Sequence, residues 1–307
     1  MDQTMHALRI HHRGGPEGLV YEQAPVPSPD IGDVLLRVAG ASLTPTELAW
    51  PSTWVDRRGL DRSPVIPCHE VSGVVVQLGD GTSGFELGDE LFGITDWYRD
   101  GTAAEFVAVE ARNLAHRPSG CGAVEAASIP MPGLTAWQAL VEHGRLGSGA
   151  SVLITGATGG VGAVAVQLAR DLGATVIAAG HAQQAAAAAD LGAKEFVDVD
   201  SGRWLKDAGQ VDLVFDLVGG DLLDQVVRAA LAYRVVSIVE PREGVVYFVV
   251  EPDRLTLAEL ARRVDAGSLR PIVSQTIPLT NGRQAFEAGH GGGKRVLVPE
   301  PGAVTSH

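Results

Sequence analysis

The segment Val152-Leu-Ile-Thr-Gly-Ala-Thr-Gly-Gly-Val-Gly162 constrains this 307-residue chain more than any other stretch. A short apolar run stops at a glycine-rich turn, and a helical pattern starts directly behind it. That order gives a strand, a tight turn and a helix N-terminus. A helix start offers unpaired backbone N–H groups and a partial positive charge, which is how a protein holds a dinucleotide pyrophosphate. The usual pattern is Gly-x-Gly-x-x-Gly. Here Ala157 takes the first position, Gly159 the second and Gly162 the third. Gly159 is expected to let the backbone approach the phosphates, and Gly162 to let the helix pack on the strand. Gly156, Thr158, Gly160 and Val161 complete the expected cofactor turn.

A glycine pattern alone is weak, so its context decides. Val161, Ala165, Leu168 and Leu172 recur at helical spacing, and Gly173 is a C-terminal stop. Thr175-Val-Ile-Ala-Ala-Gly180 then reads as a second buried strand. The whole is a strand–helix–strand unit of about 30 residues, as the motif requires. The bland alternative is a glycine-rich turn in some other α/β fold.

Length and charge bound the rest. The chain is long enough for two ordinary domains, and 45% hydrophobic residues fit a substantial core. A formal net charge of −13 argues against nucleic acid or an anionic membrane as the main partner, since both need a basic face. No apolar run reaches membrane-spanning length and no export signal is legible, so a cytoplasmic setting is expected. Cys68 and Cys121 form no Cys-x-x-Cys and read as reduced thiols.

Residues 1 to about 120 look strand-rich, with Gly18–Glu22, Asp33–Val38, Gly73–Gln77 and Ala104–Val109 as strands between turns. This suggests an antiparallel, β-barrel-like domain. Pro25–Asp30 is too proline-rich for a central strand. From about 121 to 270 strands and helices alternate, which means a doubly wound parallel sheet. The expected strands are 152–156, 175–179, 195–199, 211–217, 234–239 and 245–250. The expected helices are 160–172, 182–191, 221–231 and 255–266. A last strand near Gly293–Val298 returns to the first domain.

Several ordered motifs carry a family resemblance. Arg9-Ile-His-His-Arg-Gly-Gly-Pro-Glu17, Pro27–Val38, Pro132-Gly-Leu-Thr-Ala-Trp-Gln-Ala-Leu140, Gly156–Gly162, Phe248-Val-Val-Glu-Pro252 and Gly293-Lys294 occur in matching order. With them the chain resembles the zinc-independent quinone oxidoreductases of the medium-chain dehydrogenase/reductase superfamily over nearly its whole length. The resemblance implies an α/β protein with a β-barrel-like, GroES-like catalytic domain (1–120 and 271–307) and a Rossmann cofactor domain (121–270). It implies hydride transfer from a reduced nicotinamide to a quinone or an activated alkene. It also implies a homodimer that pairs the 245–250 strands of two subunits.

Pro67-Cys-His-Glu-Val-Ser-Gly73 looks like the Gly-His-Glu motif of zinc alcohol dehydrogenases. Catalytic zinc needs three protein ligands around an open position. Thr44 stands where those enzymes place their first cysteine, the junction region around Met131 offers no Cys or His, and the four-cysteine structural segment is missing. No metal is therefore expected, and His69 and Glu70 read alternatively as a buried polar pair. For the coenzyme, NAD-specific sites place a carboxylate at the end of the second strand. Here Gly180 and His181 occupy that position, which favours NADPH, with NADH as the alternative. The lysine and tyrosine of NADPH-using relatives are matched by Gln184 and Val199.

The resemblance places Thr44 near the nicotinamide, and Thr135 on the nicotinamide or phosphate side. Leu217, Val218 and Gly219 are expected to pass under a ribose, and Phe248 and Val249 to line the cofactor. Hydride addition leaves an oxyanion that needs a proton or a hydrogen bond. The hydroxyls of Thr44 and Tyr98, or water, are the candidates. Trp50, Trp54 and Trp97 could form an apolar lid over a flat substrate, or simply pack the first domain. The functional alternatives are an enone, enal or enoyl reductase and a non-catalytic nucleotide-binding sensor, since a fold does not fix a function.

Overall fold

A computed structural model of the chain describes residues 3–288 and 292–300. Segments 1–2, 289–291 and 301–307, which the sequence assigns to the first domain, lie outside the described residues. The chain divides into two compact units. One comprises Met1–Pro130, Pro252–Asp265 and Val273–His307; the other comprises Met131–Glu251 and Ala266–Ile272.

The strands in chain order are β1 (Thr4–Ile10), β2 (Leu19–Pro25), β3 (Asp33–Ser42), β4 (Glu70–Leu78), β5 (Glu90–Ile94), β6 (Phe106–Glu110) and β7 (Leu114–His116). Then come β8 (Ser151–Thr155), β9 (Thr175–Gly180), β10 (Glu195–Asp198), β11 (Val211–Asp216), β12 (Ala232–Ser237) and β13 (Val246–Tyr247). β14 (Val273–Pro278) and β15 (Lys294–Val298) return to the first unit.

The first unit is built around β3. Its sequence, Asp33-Val-Leu-Leu-Arg-Val-Ala-Gly-Ala-Ser42, is buried on both faces rather than alternating, as a central strand should be. β3 pairs antiparallel with β4, β6 and β15. Register shifts at Leu35/Leu36 and Val38/Gly40 let it bend from one partner to the next. Leu8, Ile10, Leu36, Leu43, Leu91 and Leu114 fill the core beneath it. Burying each such side chain contributes about 1.5–3 kcal/mol.

The second unit is a six-stranded parallel sheet in the order β10-β9-β8-β11-β12-β13. Numbered within the unit, that is the doubly wound order 3-2-1-4-5-6. The order reverses between β8 and β11, and ligands of such sheets bind outside the strand C-termini at that point.

Two sequence expectations need correction here. The strand expected over 245–250 is only Val246–Tyr247, parallel to β12 at the sheet edge. The backbone leaves the sheet because Gln138 captures Glu251 through both of its amide atoms. Its Nε2 donates to the Glu251 carbonyl at 2.8 Å and its Oε1 accepts the Glu251 N–H at 3.1 Å. The helix expected over 255–266 forms as Arg254–Asp265 but belongs to the first unit, not the cofactor unit. Asp265 accepts from the Gly120 amide (2.7 Å) and the Ser119 hydroxyl (3.1 Å), and the Arg254 guanidinium lies 4.3 Å from the Phe85 ring centroid. Among the described residues no helix is long and apolar enough to cross a membrane.

Candidate functional site

Each unit carries one cluster of interest. On the second unit, β8 ends at Thr155 and Gly156 turns with φ +64°, a conformation that favours glycine. The helix Gly160–Asp171 starts behind Gly159 with no side-chain cap, which leaves its first N–H groups for a ligand. A Cβ on Gly162 would stand 2.2 Å from the Gly156 carbonyl and 2.8 Å from Ala157 backbone atoms. Glycine there is demanded by the close approach of helix and turn. Leu217 and Val218 lie against Gly156, since a Cβ on that glycine would meet both within 3.4 Å.

What locks this edge is Asp216, fully buried at the end of β11. Its Oδ1 accepts from the Thr155 hydroxyl at 2.8 Å and from the Val218 and Gly219 amides. Its Oδ2 accepts from the Ser237 hydroxyl at 2.8 Å and from Gly219 at 3.1 Å. The Thr155 hydroxyl in turn accepts from the Leu217 amide. One carboxylate therefore ties the C-terminal ends of β8, β11 and β12 and shapes the 217–219 turn. In the sequence the turn is marked by its glycines, whereas the carboxylate shows only as a charged residue ending an apolar strand.

Along the same edge, Gly180 is followed by His181, whose Nδ1 lies 2.8 Å from an Asp200 carboxylate oxygen. The Gln184 Oε1 accepts from the His181 amide, while its Nε2 donates to the Thr158 hydroxyl in the glycine turn. Thr135 is buried within the helix Pro130–Trp137. Phe248 packs on His143 with ring centroids 4.5 Å apart, and Val249 is exposed.

On the first unit, Thr44 lies three residues before Glu47. The Glu47 carboxylate accepts from the Thr44 amide at 3.4 Å, at the entry to the turn Glu47–Ala49. Lys294, the first residue of β15, donates to Thr44 Oγ1 at 3.4 Å and forms an ion pair with Glu70 on β4. Glu47 and Glu70 are both fully buried. Burial pushes the Glu47 carboxyl up to about 8, against the pull of Lys294. Burial and the neighbouring Glu47 push the Cys68 thiol well up, and Cys68 itself holds a left-handed φ of +70°. In the sequence the signal for Glu47 is its spacing from Thr44.

His69 sits in an aromatic box. Trp50 is nearly parallel to it with centroids 6.2 Å apart, Trp97 meets it edge-on at 5.0 Å, and its Nδ1 contacts Thr95 Oγ1 at 2.9 Å. Trp54 is no part of this wall. It is buried in the core, with its indole N–H donating to the Leu48 carbonyl. Tyr98 lies under the Arg57 guanidinium, which pairs with Asp96. Thr44 is thus joined to Lys294 and Glu47, and Tyr98 to Arg57.

Burial lowers the His69 imidazole from 6.5 to about 4. The native state favours the neutral ring, whereas the unfolded chain takes up a proton below 6.5. Stability from this residue is full above that pH and is lost as pH falls towards about 4. Between pH 7 and pH 5 the parent should lose ~2 kcal/mol that a His69→Asn variant does not. Urea titrations at both pH values check this, and equal losses in both proteins would refute it. Glu47 acts in the opposite sense: its neutral form is favoured, so stability falls as pH rises from 4.5 through about 8.

These residues do not fit a catalytic zinc. Thr44 offers no thiolate, and Cys68 is buried beside Glu47 with its thiol pushed well up. Among the described residues no three His, Cys, Asp or Glu side chains gather as a metal site.

Comparison with known proteins follows the same division. Residues 30–119 match the family described as alcohol dehydrogenase GroES-like domain, and residues 191–297 match the one described as zinc-binding dehydrogenase. The chain is 30% identical over 332 aligned positions to the chloroplast envelope quinone oxidoreductase homolog of Arabidopsis thaliana, covering 97% of this chain and 99% of that one. It is 30% identical to the mitochondrial NAD(P)H oxidoreductase RTN4IP1 of Danio rerio, over 76% of this chain and 72% of the relative. The solved quinone oxidoreductase of Coxiella burnetii superposes with a TM-score of 0.86 at 27% identity, covering 96% and 99% of the two chains.

Proposed function

The chain belongs to the quinone oxidoreductase family of the medium-chain dehydrogenase/reductase superfamily, and from that premise we propose that it reduces a quinone with NADPH and without a metal. The observation that carries the cofactor half is the uncapped helix start behind Gly159, at the point where the order of the parallel strands reverses. The chemistry needs orientation and charge stabilisation more than a protein nucleophile. When bound, the nicotinamide supplies the hydride. The half-buried Thr44 hydroxyl supplies a hydrogen bond to the oxyanion formed on the acceptor, and Trp50 and Trp97 offer flat apolar faces for a ring.

NADPH is the coenzyme we infer, because no carboxylate stands at Gly180 or His181. Asp200, which the fold brings to this edge, is engaged by His181. Both cysteines are free thiols, which suits a cytoplasmic setting. The test is oxidation of NADPH and of NADH with an ortho-quinone and with an enone. Turnover of the quinone with NADPH faster than NADH supports the proposal. Turnover of the enone alone would move the assignment to an activated carbon–carbon double bond. Tight NADPH binding without turnover of either would favour a sensor.

We further propose a homodimer formed at the outer edge of β13. Val246, Tyr247 and Val249 are exposed there, and an unpaired apolar edge is a pairing hazard unless covered. Light scattering at micromolar concentration should give twice the 32.0 kDa chain mass. A monodisperse monomer would refute it.

A further inference from the structure

Thr44 Oγ1, Lys294 Nζ, Glu70 and Glu47 bring one cation, two carboxyl groups and one hydroxyl together in the first unit. Three ionisable groups there lie at most 9% exposed. Two buried carboxylates against a single ammonium would leave a negative charge uncompensated, which is costly in a poorly solvated place. Glu70 holds the direct ion pair with Lys294, so Glu47 is the carboxyl that keeps a proton. A tie between strands needs the Glu70–Lys294 pair only. It does not need a third buried carboxyl, nor an ammonium turned towards a half-buried hydroxyl.

We propose that Lys294 supplies, through the Thr44 hydroxyl, the proton that completes the reduction, and that Glu47 gates this transfer by its own charge. The inference rests on the hydride-transfer reading above. Hydride addition brings two electrons to the quinone and leaves a hydroquinone mono-anion, one proton short of product. The Thr44 O–H bond breaks as a new O–H bond forms on the product. A Lys294 N–H bond breaks and restores the Thr44 hydroxyl, leaving a neutral amine. Once the product departs, a solvent proton returns to Lys294 through the same hydroxyl.

Among the described residues, Glu70 on β4, Thr44, Glu47 in the following turn and Cys68 just ahead of β4 face this lysine. While Glu47 is neutral, Glu70 is the carboxylate that opposes loss of the proton. When Glu47 ionises, a second carboxylate holds the ammonium and opposes its release. Turnover therefore falls as pH rises through about 8, where Glu47 loses its proton. Lys294 is the group that passes a proton to the reacting hydroxyl, and Glu47 is a positioning residue that acts through it.

The test is a pH profile of quinone reduction by the full chain saturated with NADPH, with NADPH affinity measured separately by titration. The parent should lose rate above about 8, and Glu47→Gln should lack that alkaline limb. Lys294→Met should be slower by ~100-fold or more, the usual scale for losing a proton donor, with NADPH affinity little changed. Lys294→Arg keeps the ion pair with Glu70 but does not give up its proton, so it should fold and stay slow. A fast Lys294→Arg enzyme, or an alkaline limb unchanged in Glu47→Gln, overturns the inference while hydride transfer stands. No oxidation of NADPH by the parent at any pH overturns the hydride-transfer reading, and this inference with it.

Discussion

Gly159→Val abolishes nucleotide binding and leaves the fold standing. A Cβ at position 159 would meet one atom, the Gly156 carbonyl oxygen at 3.3 Å, which is tight but tolerable. The remainder of the side chain projects at the helix start, where an approaching pyrophosphate needs bare backbone. NADPH affinity should fall by ~100-fold or more, about 3 kcal/mol. Gly162→Val behaves differently. Its Cβ would lie 2.2 Å from the Gly156 carbonyl and 2.8 Å from Ala157 Cα, all backbone that cannot step aside. Binding and stability should both be lost, with stability falling by ~3 kcal/mol or more. Calorimetric titration beside thermal melting separates the two variants. A Gly159→Val protein that binds NADPH like its parent would remove the glycine turn from the cofactor site.

Asp216→Leu should be strongly destabilising. It leaves the Thr155 and Ser237 hydroxyls and the Gly219 amide without their acceptor in a place closed to water. Stranding buried donors of a carboxylate-centred network costs about 3–5 kcal/mol, a large part of a typical stability of ~5–15 kcal/mol. Thr155→Val and Ser237→Ala each remove one donor to this carboxylate and the acceptor of one amide, Leu217 or Val239, so each should cost about 1–3 kcal/mol. Urea midpoints of the three variants check the order. An Asp216→Leu loss below that of Ser237→Ala would show that the carboxylate does not hold the strand ends together.

The local part of this architecture was legible from sequence, and the non-local part was not. The strand–turn–helix at Ser151–Asp171 is specified by neighbours: an apolar run, a glycine turn and a 3.6-residue period. The alternation that follows gave the doubly wound sheet. Strand 245–250 was over-extended because its valines favour β structure, while the capture of Glu251 by Gln138 is a contact between residues 113 apart. The helix Arg254–Asp265 carries an ordinary amphipathic pattern. Which unit it packs against is decided by Asp265 meeting Gly120, 145 residues away. The same limit hid the Lys294–Thr44 contact, which spans 250 positions. Thr44 was singled out through family resemblance, but the ammonium behind it becomes visible only once β15 lies beside β3.

The central claim is hydride transfer from NADPH to a quinone with no metal taking part. It is tested most directly by turnover of protein stripped with a zinc chelator and shown metal-free by elemental analysis. Stripped protein should oxidise NADPH with an ortho-quinone at the same rate as untreated protein, and added zinc should change nothing. Activity that is lost on stripping and restored by zinc would contradict it.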